Sequence, residues 1–164
     1  MTLIYPGSFD PVTLGHIDIA SRGAVLASRL VVAVLNNSNK KPFFSTKERI
    51  ALLQESLGHI KNIEIDSFNG LLVDYAKQKN ATAILRGLRS AGDFESESRY
   101  AVCNKLLSNV ELETIFIPAS PSLSYISSSV VREAAFHISN NSALCNMVTP
   151  HVQLALQNRI RLGE

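Results

Sequence analysis

Short apolar runs alternate with helical patterns along almost the whole chain, and this order restricts the folds open to it. Residues 2–5 read as a strand, and from 17 to 26 the apolar spacing is helical. The run RLVVAVL, 29–35, is continuously apolar, as suits a parallel strand covered on both faces. Ser45-Thr46-Lys47-Glu48 has the capping-box form, a hydroxyl and a carboxylate three apart, and opens a helix striped by Ile50, Leu53 and Leu57. Residues 62–68 alternate as a strand, 70–79 read as helix, 82–86 as strand, 93–108 as a longer helix and 112–118 as strand. A further helix follows the serines at 127–129, and the last has Thr149 as N-cap with Pro150 in its first turn. Strand then helix, repeated, predicts a Rossmann-like, doubly wound α/β fold: a five-stranded parallel sheet with helices on both faces.

At 164 residues the expectation is a single domain over 1–164. The apolar share of 46% and charged share of 18% suit a globular protein, and 16 basic against 14 acidic residues give a net charge of only +2. That balance offers nothing to a nucleic acid or a membrane surface, so any basic cluster must be local. No apolar run approaches the ~18 residues that span a bilayer, and no signal-peptide pattern stands at the N-terminus. Cys103 and Cys145 form no metal-like spacing and read as two reduced, buried thiols, consistent with a cytoplasmic location.

In a doubly wound sheet, ligands bind beyond the carboxyl ends of the strands, near the reversal of strand order. The unusual residues fall there. The first strand leads into YPGSFDPVTLGH, with two glycines, two prolines, Ser8, Asp10 and His16 in twelve residues. The second is followed by Asn36-Asn37-Ser38-Asn39-Lys40-Lys41-Pro42, the third by Phe68-Asn69-Gly70-Leu71-Leu72, the fourth by Arg86-Gly87-Leu88-Arg89, and the fifth by a segment ending SLSYISSS. All five loops are expected to open on one mouth rich in cations and hydroxyls, a large anion site. No P-loop and no G-x-G-x-x-G fingerprint is present. His16 falls in the first turn of the first helix, where the dipole and free amides attract anions, and Gly15 lets a phosphate approach the backbone. His59, His137 and His151 have no such setting and read as structural. Arg86 ends a buried strand and requires a counter-charge, either an anion or a local carboxylate such as Asp93.

PGSFDPVTLGH resembles the (T/H)-x-G-H signature of the nucleotidylyltransferases, and YISSSVVRE resembles their second signature, I-S-S-[ST]-x-x-R. Together with KKPFFSTKERI and ILRGLRSAGDFESE, in order, they make the chain similar to the bacterial phosphopantetheine adenylyltransferase family over nearly its whole length. The chain departs from the family's usual residues at Ser8, where threonine is common, at Leu14, and at Leu123, where an aromatic is common.

The resemblance implies transfer of AMP from ATP to 4′-phosphopantetheine, giving dephospho-CoA and pyrophosphate. The attacking phosphate is already an anion, so positioning and charge neutralisation carry the reaction. It implies that His16 and Lys40 are catalytic, and that Ser8, Lys40, Leu72 and Arg86 bind phosphopantetheine. It assigns to ATP Ser8, Phe9 and His16, the turn Gly87, Leu88 and Arg89, and Glu97. The ATP segment then continues through Leu123, Ser124, Tyr125 and Ile126 to Ser127, Ser128 and Ser129. Mg²⁺ is expected on the ATP phosphates with water rather than in a carboxylate cage. The family implies a homohexamer and CoA as an inhibitor. Two other readings stand beside this one: a sister enzyme acting on nicotinamide mononucleotide or glycerol 3-phosphate, and a non-catalytic nucleotide-binding protein.

Overall fold

The structure, a computed structural model, describes residues 1–36, 41–108, 112–137 and 141–162. Five strands, β1 (Thr2–Gly7), β2 (Arg29–Leu35), β3 (Ile63–Phe68), β4 (Ala83–Leu88) and β5 (Glu113–Pro118), form one parallel sheet in the order β3-β2-β1-β4-β5. The helices are α1 (Leu14–Leu26), α2 (Thr46–Leu57), α3 (Leu72–Gln78), α4 (Ala91–Leu107), α5 (Ser128–His137) and α6 (Pro150–Arg161), with 3₁₀ turns at Pro121–Leu123 and Asn141–Asn146. The doubly wound parallel fold expected from the alternation is the fold observed.

Period-two alternation sends successive strand residues to opposite faces. Leu3, Tyr5, Leu30, Val32, Val34 and Leu85 join one buried cluster with residues of α1, α2 and α6. Ile4, Val31, Ala33 and Ile84 join a second with Val73, Tyr75 and Ala76 of α3. The expected apolar run of β2 therefore serves two layers at once. β1 and β4 are neighbours although three strands apart in sequence order, so the strand order reverses between them. The loops leaving their carboxyl ends face a crevice there.

The ends of elements differ from the sequence expectation where an unusual cap acts. α1 begins at Leu14, ahead of the apolar spacing that starts at 17 and with His16 in its first turn as expected, because Thr13 and His16 form a reciprocal capping box. α4 begins at Ala91, not 93, because Ser90 Oγ accepts Asp93 N–H at 3.2 Å. Ser45 and Glu48 cap α2 as expected, and Pro150 opens α6. Cys103 and Cys145 are exposed, which corrects the expectation of buried thiols. For Cys103 the reason is that α4 buries none of its 17 residues. No helix among the described residues is long and apolar enough to cross a membrane.

Gly23 of α1 packs directly on Leu85 of β4. A Cβ added at 23 would stand 2.3 Å from Leu85 Cδ2, and Leu85 is fully buried. Gly23→Ala is expected to destabilise the protein by about 1–3 kcal/mol through overpacking, measured as a lowered urea midpoint at unchanged m-value.

Candidate active site

The loop after β1 is braced from three sides. Asp10, nearly buried, accepts Phe43 N–H and Phe44 N–H at 2.8 Å each. Arg49 of α2, also buried, donates to Ser8 O at 2.8 Å and to Thr46 Oγ1 at 3.2 Å. Burial holds the Arg49 pKa below its ordinary value, and the charge of Asp10 opposes that shift. From α5, Ser128 Oγ donates to Pro11 O at 2.8 Å, and Arg132 donates to Asp10 O. These bonds occupy carbonyls that would otherwise face a partly dry interior. Within the loop, Phe9 adopts φ of +47° with its side chain buried, edge-on to Tyr5 and to His16. This left-handed backbone is costly for a bulky residue and is held by its packing.

His16 is the N3 residue of α1. Its Nδ1 accepts Thr13 N–H at 3.1 Å and lies 3.0 Å from Thr13 Oγ1, while its own N–H reaches Thr13 Oγ1 at 3.3 Å. A ring nitrogen that accepts an amide proton carries none itself, so the hydrogen of the neutral ring resides on Nε2. Part of the ring borders the cavity, but it is closely ringed by protein. That desolvation, with the positive charge of Arg89, lowers its pKa from 6.5 to about 4. The imidazole is therefore a neutral hydrogen-bond donor at pH 7.

A cavity of about 310 Å³ lies at the crevice between β1 and β4. Among the described residues, three of the five strand-end loops build it. From the first come Gly7, Ser8, Phe9, Gly15 and His16; from the fourth, Arg86, Gly87 and Arg89; from the fifth, Leu123, Ile126, Ser127, Ser128 and Ser129. Glu97 of α4 and the buried Tyr5 complete the wall. Desolvation raises the Tyr5 pKa, against the pull of Arg86 and Arg89, so its phenol is protonated. The amino ends of α1 and α5 both meet the cavity, and Ser127 Oγ accepts Val130 N–H at 3.2 Å in the first turn of α5.

The fifth loop is tied down by α1. Ser120 Oγ donates to Asp18 Oδ2 at 3.0 Å, and Arg22, paired with the same carboxylate, donates to Pro118 O at 2.8 Å. Arg86 donates to Pro6 O at 3.2 Å and its Nε lies 2.9 Å from Glu97 Oε2. The carboxylate partner is Glu97 and not Asp93, because Asp93 is taken by Arg89. Arg89 donates to it from the backbone, from Nε at 2.9 Å and from Nη2 at 3.2 Å. Burial acts to raise the Asp93 pKa, but these bonds from Arg89 outweigh it and hold the carboxyl below its ordinary range.

Of the five loops expected to converge, three line the cavity among the described residues, and the loop after β3 does not. β2 and β3 lie on the far side of β1, so the end of β3 stands roughly 14 Å from β4 at the usual strand spacing. Leu72 accordingly begins α3 and packs against the second core cluster, away from the cavity wall. Leu88, Ser124 and Tyr125 do not line the cavity either. Leu88 O accepts Ala119 N–H at 2.7 Å, Ser124 Oγ bonds Pro121 O at 3.0 Å, and Tyr125 is exposed. Lys40, with residues 37–39, lies outside the described residues. The sequence alone assigns no role to Tyr5, Thr13, Asp10 or Arg49. Only Thr13 carried a readable signal, a hydroxyl three residues before a side chain able to reach back.

The cavity thus combines two helix amino ends, a neutral imidazole donor, serine hydroxyls and two guanidinium groups, a set suited to phosphates. Residues 4–134 match the model of the cytidylyltransferase-like family. A phosphopantetheine adenylyltransferase of Caldanaerobacter subterraneus is 58% identical over 132 residues, 80% of this chain and 82% of that one. One from Nostoc punctiforme is 47% identical over 94% of this chain and 82% of its own. The chain belongs to the phosphopantetheine adenylyltransferase family. The resemblance read from the sequence and this family are the same. Among solved structures, the nicotinic acid mononucleotide adenylyltransferase of Plasmodium falciparum complexed with NaAD superposes with a TM-score of 0.68. It covers 98% of this chain and 96% of its own at 15% identity, a likeness of fold alone.

The low pKa of His16 has a consequence for stability. Between pH 6.5 and about 4 the unfolded chain binds a proton at this histidine that the folded chain does not. Stability should therefore fall as pH drops through that window. His16→Gln is expected to flatten this slope, read from denaturant midpoints at pH 7, 6, 5 and 4.5.

Proposed function

We propose that this chain transfers AMP from ATP to 4′-phosphopantetheine, producing dephospho-CoA and pyrophosphate in the formation of coenzyme A. The observation that carries the reaction type is the meeting of the amino ends of α1 and α5 with His16, Arg86 and Arg89 in one cavity. The choice of acceptor is supported by relatives 47–58% identical that bear that name.

The acceptor phosphate attacks the α-phosphorus of ATP as an anion, and pyrophosphate leaves in line, so no base is needed to remove a proton. His16 Nε2–H donates to an α-phosphate oxygen as negative charge grows there. The ring enters the reaction neutral and adds no fixed charge to the resting site. Ser8, on the exposed shoulder of the braced loop, donates its hydroxyl to the acceptor phosphate, and Arg86 supplies that phosphate's counter-charge. Lys40 would share this work from the loop after β2. Phe9, the turn of Gly87, Leu88 and Arg89, Glu97 and the 123–129 segment hold ATP, with the amides at the start of α5 turned to its phosphates. Leu72 meets the pantetheine arm through its backbone, which requires that the arm leave the cavity toward β3.

Among the described residues no group of three His, Cys, Asp or Glu could hold a metal ion. Mg²⁺ is read as part of the substrate Mg·ATP, carried by phosphate oxygens and water. CoA shares the pantetheine and adenylyl parts of the two substrates and would compete for the same cavity. The chain is read as one domain acting in the cytoplasm as a homohexamer, with no nucleic-acid partner. The oligomer is supported by α4, which buries no side chain and exposes Tyr100, Val102, Leu106 and Leu107.

The purified protein with ATP, Mg²⁺ and phosphopantetheine is expected to form dephospho-CoA, detected by mass and by pyrophosphate release. Preference for nicotinamide mononucleotide or glycerol 3-phosphate in the same assay would replace the acceptor, and binding without release would remove the enzyme. His16→Ala should lower kcat by about 10²-fold, the scale of a lost transition-state donor, with the circular dichroism spectrum intact. Arg86→Ala should weaken phosphopantetheine binding in calorimetry while leaving ATP binding nearly unchanged.

A further inference from the structure

Two arginines border the cavity, and their carboxylate partners differ in quality. Arg89 and Asp93 share three directed hydrogen bonds at the start of α4. Arg86 and Glu97 approach to 2.9 Å, but off the N–H axis. Glu97 Oε2 is closed off from solvent and receives no directed hydrogen bond. Each side chain of this second pair keeps 24% of its surface exposed, on the cavity side. Glu97 rides on a helix with no fully buried residue, which rests on the sheet through contacts such as Phe94 edge-on to Phe116.

A carboxylate held by charge without a directed bond is a weak partner, because charge-assisted hydrogen bonds owe their strength to alignment. A phosphate dianion offers the guanidinium fork two charges and three acceptor oxygens. Arg86 Nη1 stays anchored on Pro6 O, so the arginine remains in place when its carboxylate leaves. Once a dianion sits on Arg86, a neighbouring carboxylate is repelled and must find other donors.

We infer that Glu97 is a stand-in counter-ion, neutralising Arg86 while the cavity is empty and giving it up to an incoming phosphate dianion. Glu97 thus balances the charge of Arg86 in the empty cavity, while the bond to Pro6 O holds the guanidinium in place. The exchange frees its carboxylate to accept from nucleotide hydroxyls, the ATP contact expected of it from the sequence. The identity of that dianion as the acceptor's phosphate rests on the function proposed above; the exchange itself rests on the two side chains.

The test titrates inorganic phosphate into the wild-type chain and into Glu97→Gln, with phosphopantetheine and phosphate-free pantetheine alongside. Glu97→Gln is expected to bind phosphate and phosphopantetheine tighter by about two- to fivefold, the scale of a partly exposed ion pair no longer competing. Pantetheine should bind both proteins alike. In the wild type, the Glu97 carboxyl carbon resonance is expected to move as phosphate saturates the site. Equal or weaker phosphate binding by the variant overturns the inference. So does a stationary Glu97 resonance, which would mean that the pair survives binding. Should the variant not fold, the wild-type resonance decides alone. Failure of the wild type to make dephospho-CoA while the resonance moves would remove the acceptor's identity and leave the exchange standing.

Discussion

Thr13 and His16 each close the other's open hydrogen bond at the start of α1, and the rest of the site depends on that exchange. The usual third-position partner in such a cap is glutamate or glutamine. α2 shows the usual form, where Ser45 and Glu48 exchange bonds on the protein's surface and hydrogen bonding from Ser45 lowers the Glu48 pKa. A glutamate at 16 would cap α1 equally well but would set a negative charge against any phosphate entering the cavity. Histidine keeps the cap and changes the outward chemistry. Nδ1 is consumed by the helix, and Nε2–H is left as a neutral donor. The same bonds that begin the helix thereby choose the tautomer, so orientation and protonation need no separate machinery.

The position of that helix start follows from the sheet. With β1 and β4 adjacent, the loops leaving them diverge and a crevice opens between them. The loop at 8–13 would be poorly determined if it merely crossed this crevice. Instead, Asp10 takes two amides from residues 43 and 44, Arg49 takes the Ser8 carbonyl, and Ser128 takes the Pro11 carbonyl. The first two braces come from the segment after β2, which itself contributes nothing to the cavity wall among the described residues. The third comes from α5, whose amino end faces the same cavity. One loop is thus gauged against two helices, and the distance between Ser8, His16 and the serines of α5 is set by bonds to backbone rather than by flexible side chains. Such positioning is what a reaction driven by orientation and charge requires.

Much of this was legible in the sequence because two periodicities and one rule of topology suffice for it. Alternation of strand and helix predicts the parallel sheet, and strand-end placement predicts an anion site made of the residues around Ser8, His16, Arg86 and Ser127. The apolar spacing of α1 shows only from residue 17, and although His16 reads as first-turn, its part in the cap does not, since a histidine is not expected as a capping partner. The order of strands is not written in the order of elements. Only the observed β3-β2-β1-β4-β5 arrangement explains why the loop after β3, with Leu72, stands apart. Burial on α4 was equally illegible: its apolar residues suit a core stripe as well as an outer surface, and Cys103 went to the wrong side with them. The partner of Arg86 depended on a competition. Asp93 is nearer in sequence, but its place in the first turn of α4 gives it to the backbone and guanidinium of Arg89.

The charges around the crevice show how a site for polyanions can exist without strain when nothing is bound. Arg86, Arg89, Arg22 and Arg132 each stand beside a carboxylate: Glu97, Asp93, Asp18 and Asp10. A cluster of unopposed guanidinium groups in a half-dry crevice would destabilise the fold by mutual repulsion and desolvation. Pairing removes that penalty but also cancels the attraction for phosphate, leaving amides, hydroxyls and the His16 donor as the standing recognition. The pairs then divide by geometry. Arg89–Asp93 and Arg22–Asp18 are built into helix and loop anchors, and Arg132 holds the Asp10 backbone, so releasing any of them would loosen the scaffold. Arg86–Glu97 anchors no element, and the geometry of its contact is the poorest of those on the cavity wall. Of these four cations, the one whose partner can leave without disturbing a helix start or a loop brace is therefore the one near the carboxyl end of β4, beside the reversal of strand order.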